Sequence, residues 1–134
     1  MRLFLDANIL FTAAHNAEGK ASLVMELGQA GLWQLVSSAY AVEEARRNIA
    51  RKYPDRLQRL QTLTQDLALA HADAEVRCPQ PLPEKDCPIY RAAHACKADI
   101  LLTGDIRDFG FLMYDRTKAD GLLIQTVADF LAGL

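Results

Sequence analysis

No run in this chain approaches the roughly 18 apolar residues of a membrane span. Its first apolar stretch, Leu3-Phe4-Leu5, stops at Asp6, too early for the apolar region of a secretory leader. The expectation is a cytoplasmic protein without a membrane partner. Cysteine is scarce: Cys78, Cys87 and Cys96 are the only three, and none stands in a C-x-x-C pair. An odd count with that spacing argues against a disulfide framework and against a zinc site, and favours reduced, buried thiols. His15, His71 and His94 lack paired ligand spacing and read as structural or surface residues. Positive charge is not in excess, since 15 Lys and Arg against 17 Asp and Glu give a net charge of −2. A uniformly basic nucleic-acid coat is excluded, whereas a local basic patch is not. There is no internal repeat, no low-complexity tract and no dividing linker, so the 134 residues are expected to form one domain, 1–134.

What the chain does have is a composition of 51% hydrophobic and 24% charged residues, suited to a globular α/β fold. Residues 2–6 and 99–103 read as buried parallel strands, with further strands near 33–36 and 122–124 and a short one within 68–77. Helical periodicity covers 7–14, 20–31 with a stop at Gly31, a segment capped by Ser37 or Ser38 and carrying Val42, Ala45 and Ile49, and then 55–67 after Pro54. Cys78-Pro79-Gln80-Pro81-Leu82-Pro83 must be a loop, because its three prolines forbid regular structure. Helix resumes over 84–97 and closes the chain over 127–134, with 105–113 a loop or a single turn. Strands joined by crossover helices imply a three-layer α/β/α sandwich around a mostly parallel sheet of four or five strands.

Two of these strands end on aspartate. Leu3-Phe4-Leu5 runs into Asp6, and Ile100-Leu101-Leu102-Thr103-Gly104 runs into Asp105. Ligand sites in open α/β sheets lie beyond the carboxyl ends of the strands. Carboxylates delivered there suggest a hard-cation site and phosphate chemistry. Glu44 early in one helix, Asp86 in the first turn of another, and Asp108 three residues after Asp105 are further candidates. Asn8 is placed to hold a ligand carboxylate or a water. Lys85 and Arg107 flank ligand candidates, and Arg107 is the favoured phosphate contact. Each acid has an ordinary explanation when taken alone. Asp6 is a good N-cap, Asp105 suits a turn, Asp86 favours a helix dipole, and Glu44 and Asp108 suit a solvated surface. The set as a whole shifts the balance towards a site.

Four segments, Leu3 to Leu10, Val42 to Ala45, Lys85 to Ala93 and Ile100 to Phe109, resemble in order and separation the signature blocks of the PIN-domain family. Thr126 to Leu131 resembles the family's closing helix. The resemblance implies a Mg²⁺- or Mn²⁺-dependent ribonuclease, often the toxin of a toxin–antitoxin pair. It puts Asp6, Glu44, Asp86 and Asp105 on the family's catalytic acidic positions, Asp6, Asp86, Asp105 and Asp108 on its metal, and Thr103 on its usual hydroxyl, with Asn8 in support. Ala7 departs from the family in standing where Thr or Ser is common. Glu44 is preferred to Glu43 because it aligns with the block, and Glu43 would point about 100° away around the helix. The implied reaction is hydrolysis of single-stranded RNA by a metal-activated water, without a covalent intermediate.

Arg46, Arg47, Arg51, Lys52, Arg56 and Arg59 follow Glu44 with only Asp55 opposing them. They read equally as a phosphate track, in which Arg46, Arg47 and Arg51 join Arg107 as RNA contacts, or as a solvated face. Trp33, Tyr40 and Tyr53 read as core or helix contacts rather than base-stacking residues. The leucine-rich helices 20–31 and 55–67 offer an antitoxin groove or a homodimer surface, a role the core explains equally well. Two rival functions remain. One is a catalytically weak RNA- or protein-binding module. The other is an aspartyl-phosphate phosphotransferase built on Asp6-Ala7-Asn8, disfavoured because Asn8 replaces the second carboxylate and no lysine block is evident.

Overall fold

In the computed structural model, which describes residues 1–134, the first apolar run forms strand β1 (Arg2–Leu5) at the centre of a five-stranded sheet. Leu3, Phe4 and Leu5 are fully buried, as a strand with neighbours on both edges and helices over both faces must be. β2 (Gln34–Ser37) pairs with one edge of β1, setting Phe4 opposite Val36, and β3 (Ala68–Leu69) continues the sheet beyond β2. β4 (Ile100–Leu102) pairs with the other edge, setting Phe4 opposite Leu101, and β5 (Leu123–Gln125) lies beyond it. All pairings are parallel, in the order β3-β2-β1-β4-β5.

Helices α1 (Ala7–His15) and α2 (Lys20–Gln29) connect β1 to β2, and α3 (Ala39–Lys52) and α4 (Leu57–Thr64) connect β2 to β3. The chain then returns through α5 (Cys87–Ala95) to β4 on the far side of β1. Right-handed crossovers running in opposite directions place helices on opposite faces, giving the three-layer α/β/α sandwich. A short α6 (Ile106–Phe109) follows β4, and α7 (Val127–Ala132) follows β5. The reversal of winding falls between β1 and β4, where loops leaving the two strands diverge and open a crevice. Asp6 leaves β1 at that crevice, and Thr103-Gly104-Asp105 leave β4 beside it.

One cluster of 35 buried hydrophobic residues fills the space between the layers. Four-residue spacing brings Ala41, Ala45 and Ile49 of α3 onto the buried face, and α4 adds Leu60 and Leu63. Small side chains let the layers approach. A Cβ on Gly28 in α2 would lie 2.5 Å from Leu35 Cγ, so only glycine fits there without repacking. Gly31 has a φ of 97°, the left-handed conformation that stops α2 where the sequence predicts.

Boundaries differ from expectation where proline intervenes. The helix expected over 55–67 is a 3₁₀ turn (Pro54–Arg56) followed by α4, which stops at Thr64 so that Leu67 can lead into β3. Only Ala68–Leu69 of the 68–77 segment is strand. The helix expected over 84–97 opens as a 3₁₀ turn (Glu84–Asp86), with Pro88 in the first turn of α5, where a missing N–H costs nothing. The thiols are a correction. Cys78 and Cys87 form a disulfide with their Cα atoms 5.6 Å apart, and only Cys96 is free. The proline loop folds back on the start of α5 and brings two cysteines nine residues apart within bridging distance. An odd count is compatible with one pair and one remainder.

Candidate active site

At the carboxyl end of β1, Asp6 serves two purposes. It is the N-cap of α1, Oδ1 accepting from the Ala7 N–H at 2.6 Å, and its Oδ2 points across the crevice towards β4. There Thr103 Oγ1 donates to Oδ2 at 2.8 Å and Asn8 Nδ2 donates at 3.1 Å. Asn8 Oδ1 accepts from the Gly104 N–H at 2.7 Å, so one amide side chain fastens α1 to the loop after β4. Thr103 Oγ1 in turn accepts from the Asp105 N–H at 3.1 Å. This fully buried hydroxyl therefore joins the two strand-end aspartates through a donor on one side and an acceptor on the other. Burial, above all, pushes the Asp6 carboxyl up to about 6, its hydrogen bonds from Thr103 and Ala7 opposing and the nearby Glu44 charge adding to the rise.

Asp86, Asp105 and Asp108 converge beside it. One carboxylate oxygen from each lies within 4.8 Å of the others. Asp105 caps α6 by accepting from the Asp108 N–H at 3.1 Å, and that turn aims the Asp108 carboxylate at Asp86. The Asp86 carboxyl is pushed up to about 6 by burial and by sharing a hydrogen bond with Asp108, against the pull of Lys85. Asp108 is held below the usual carboxylate range, first by its bond from Lys85. The ordinary and the functional readings of Asp6 and Asp105 therefore coexist, since each caps a helix and also faces the crevice. Asp6 stands next to the trio through Thr103 rather than within it.

Glu44 is half-buried, its charge raises both Asp6 and Tyr40, and it has no salt-bridge partner. Glu43 points away into an exposed bidentate pair with Arg46, at 2.6 and 2.8 Å. Of these two, Glu44 faces the crevice. The arginines do not gather. Arg46 is engaged by Glu43, Arg51 donates to Asn48, and Arg107 is exposed with no acidic partner. Arg47 is exposed near Tyr40, whose ionisation its charge favours.

Two further residues border the site. Lys85, ranked behind Arg107, has its Nζ 3.0 Å from Asp108 Oδ2 and 3.3 Å from Asp86 Oδ2. Tyr40, read as a core or helix contact, is 40% exposed and donates its hydroxyl to the Lys85 carbonyl at 2.7 Å, tying α3 to the turn that carries Asp86. The Tyr40–Glu44 spacing of four on one helix was the available signal, since it sets both on one face. Nothing in the spacing of Lys85 distinguishes it from Arg107.

The arrangement presents hard oxygen donors in a cleft edged by partly buried carboxylates, with hydroxyl and amide groups holding them in place. Such a set suits an oxygen-seeking divalent cation. No helix is long and apolar enough to cross a membrane. No curated protein sequence matches the chain. Among solved structures, VapBC2 from Rickettsia felis, bound to a DNA fragment from their promoter, superposes with a TM-score of 0.66 at 17% identity, covering 94% of this chain and 98% of that one. VapBC-1 from nontypeable Haemophilus influenzae gives a TM-score of 0.62 at 17% identity, covering 96% and 99% respectively. At that identity the two structures testify to the shared fold. The model of the PIN domain matches residues 2–107, from the start of β1 through both strand-end aspartates, and the chain belongs to the PIN-domain family.

Proposed function

We propose that the protein is a Mg²⁺- or Mn²⁺-dependent endoribonuclease acting on single-stranded RNA, working as a single PIN domain over residues 1–134. The observation that carries this reading is the convergence of Asp86, Asp105 and Asp108, with Asp6 hydrogen-bonded alongside through Thr103. Asp86, Asp105 and Asp108 would hold the cation, with Asp6 completing the set from the β1 side. When bound, the ion supplies a water of lowered pKa and offsets charge on the attacked phosphate. The chain's own residues do the rest. Glu44, free of a cationic partner, orients the attacking water. Asn8 and Thr103 hold Asp6 and the Asp105 backbone in register. Water oxygen bonds to phosphorus as the bond to the opposite ribose oxygen breaks, and a proton ends on that leaving oxygen. Arg46, Arg47, Arg51 and Arg107 would serve as separate phosphate contacts rather than as one track.

Similarity to the VapBC structures supports a toxin role with an antitoxin protein as partner, and the cytoplasm is the proposed location. A homodimer is part of the same proposal. The test is incubation of purified protein with single-stranded RNA, with Mn²⁺ or with chelator. Metal-dependent cleavage is the expected result, and RNA that is bound but left intact would establish a binding module instead. Thr103→Val isolates the hydroxyl. It keeps the shape but removes one bond to Asp6, one from the Asp105 N–H and a longer one from Asn8 Nδ2. Partners that orient metal ligands are worth about 10- to 100-fold in activity or metal affinity, and cleavage by this variant is expected to fall by that factor.

A further inference from the structure

We propose that Lys85 is an exchangeable counter-ion of the acidic site, holding Asp86 and Asp108 together until a divalent cation takes its place. The inference rests on reading the trio as a metal site, and it adds a residue that competes for that site from within the chain. The Lys85 ammonium touches two of the three carboxylates that would ligate the ion, at 3.3 and 3.0 Å. A cation held by the trio would draw on the same two carboxylates that the ammonium contacts. Cation and ammonium cannot both keep their full set of contacts, and one must yield.

The structure indicates which. The Lys85 side chain is 65% exposed, while those of Asp86 and Asp108 are only 11% and 16% exposed. Removing a solvated ammonium from the cluster returns it to water at small cost. The two carboxylates ride on turns fixed by backbone bonds, the Asp86 N–H to the Pro83 carbonyl and the Asp108 N–H to Asp105 Oδ1, which do not depend on the lysine. The main chain of Lys85 is fixed independently by the Tyr40 hydroxyl on its carbonyl, so its four-carbon side chain swings out while Asp86 stays where it is. Charge points the same way. Three carboxylates against one ammonium leave two negative charges uncompensated, which a divalent ion neutralises better than a lysine. Lys85 would thus prevent the empty site from splaying and would set a threshold of cation concentration for loading it.

The test is calorimetric titration of Mn²⁺ into the full chain at pH 8 without RNA, comparing wild type with Lys85→Met, Lys85→Arg and Asp105→Asn. Deleting one positive charge that lies 3.0 and 3.3 Å from two of the ligands should tighten Mn²⁺ binding by about tenfold or more, even with water-like screening. Lys85→Arg should bind as the wild type does. Melting supplies a second readout. In chelator Lys85→Met should melt below wild type, and saturating Mn²⁺ should close the gap. A Lys85→Met protein that binds Mn²⁺ no more tightly, or whose melting deficit persists in Mn²⁺, overturns the exchange and leaves lysine a structural ion pair. Asp105→Asn separates that failure from a deeper one. If it loses Mn²⁺ affinity while Lys85→Met is unchanged, only the exchange is wrong. If it binds Mn²⁺ like the wild type, the metal site and the exchange fall together.

Discussion

Asp105→Asn is expected to lower Mn²⁺-dependent RNA cleavage by more than the roughly 100-fold that loss of an outer-sphere partner costs, while leaving the fold intact. The substitution is chosen because Asp105 has two roles that respond differently to it. As a cap, its Oδ1 accepts from the Asp108 N–H, and asparagine caps about as well as aspartate. As a member of the trio with Asp86 and Asp108, it supplies an anionic oxygen that asparagine cannot replace. Circular dichroism melting in chelator should therefore change by less than about 1 kcal/mol, since the surviving cap bond is the main local interaction. Full cleavage activity in a folded variant would reduce Asp105 to turn chemistry, the plain reading its Thr-Gly-Asp context allows.

That dual role explains why the site was largely legible in the sequence. Buried parallel strands must be continuously apolar, so an aspartate ending such a run stands out, and Asp6 and Asp105 could be placed at one sheet edge from Leu3-Phe4-Leu5 and Ile100-Leu101-Leu102 alone. The position of β4 beside β1 was not legible, because crossover handedness fixes the face each helix covers and not the strand order. The convergence of Asp86 was legible only through the spacing of the family's blocks, because nothing local tells how a 3₁₀ turn will aim a side chain. The pairing of Lys85 with the acids was not legible for the same reason. Its distance from Asp108 is a tertiary fact 23 residues removed in sequence, set by how α5 starts against α6. The Cys78–Cys87 pair depends on a proline loop doubling back, which cysteine counting does not detect. The short strand expected within 68–77 is present as β3, but its bounds were not legible, because both side chains of Ala68–Leu69 are exposed at the sheet edge. The basic stretch after Glu44 dispersed because neighbours such as Glu43 and Asn48 engage individual arginines that composition alone would pool.

Asp6→Asn is expected to stabilise the metal-free protein at neutral pH and to inactivate it. The Asp6 carboxyl is pushed up to about 6 from an ordinary 3.8, chiefly by burial. Between those two values the unfolded chain has released the proton and the folded chain still holds it, so raising the pH favours unfolding. The loss accumulates from about pH 4 to about pH 6 and is complete above that range, amounting to about 3 kcal/mol for a shift of this size. Asparagine avoids the buried charge, and its Oδ1 can still accept from Thr103 or from the Ala7 N–H. In chelator the variant should therefore match wild type near pH 4 and melt higher at pH 8, by an amount on the order of 10 °C for a chain of this length. Asp86, raised for the same leading reason, leaves part of the pH dependence in place. Saturating Mn²⁺ should stabilise the wild type by mass action and shrink the difference, because the ion binds the folded state and favours ionised Asp6. The gain in stability and the loss of cleavage would then share one origin: the site holds a charge in a buried position that the fold alone disfavours and the bound cation rewards. An Asp6→Asn protein that melts at or below wild type at pH 8 in chelator would show that Asp6 is not strained by its burial, and the cation would have to draw its affinity from the Asp86, Asp105 and Asp108 trio alone.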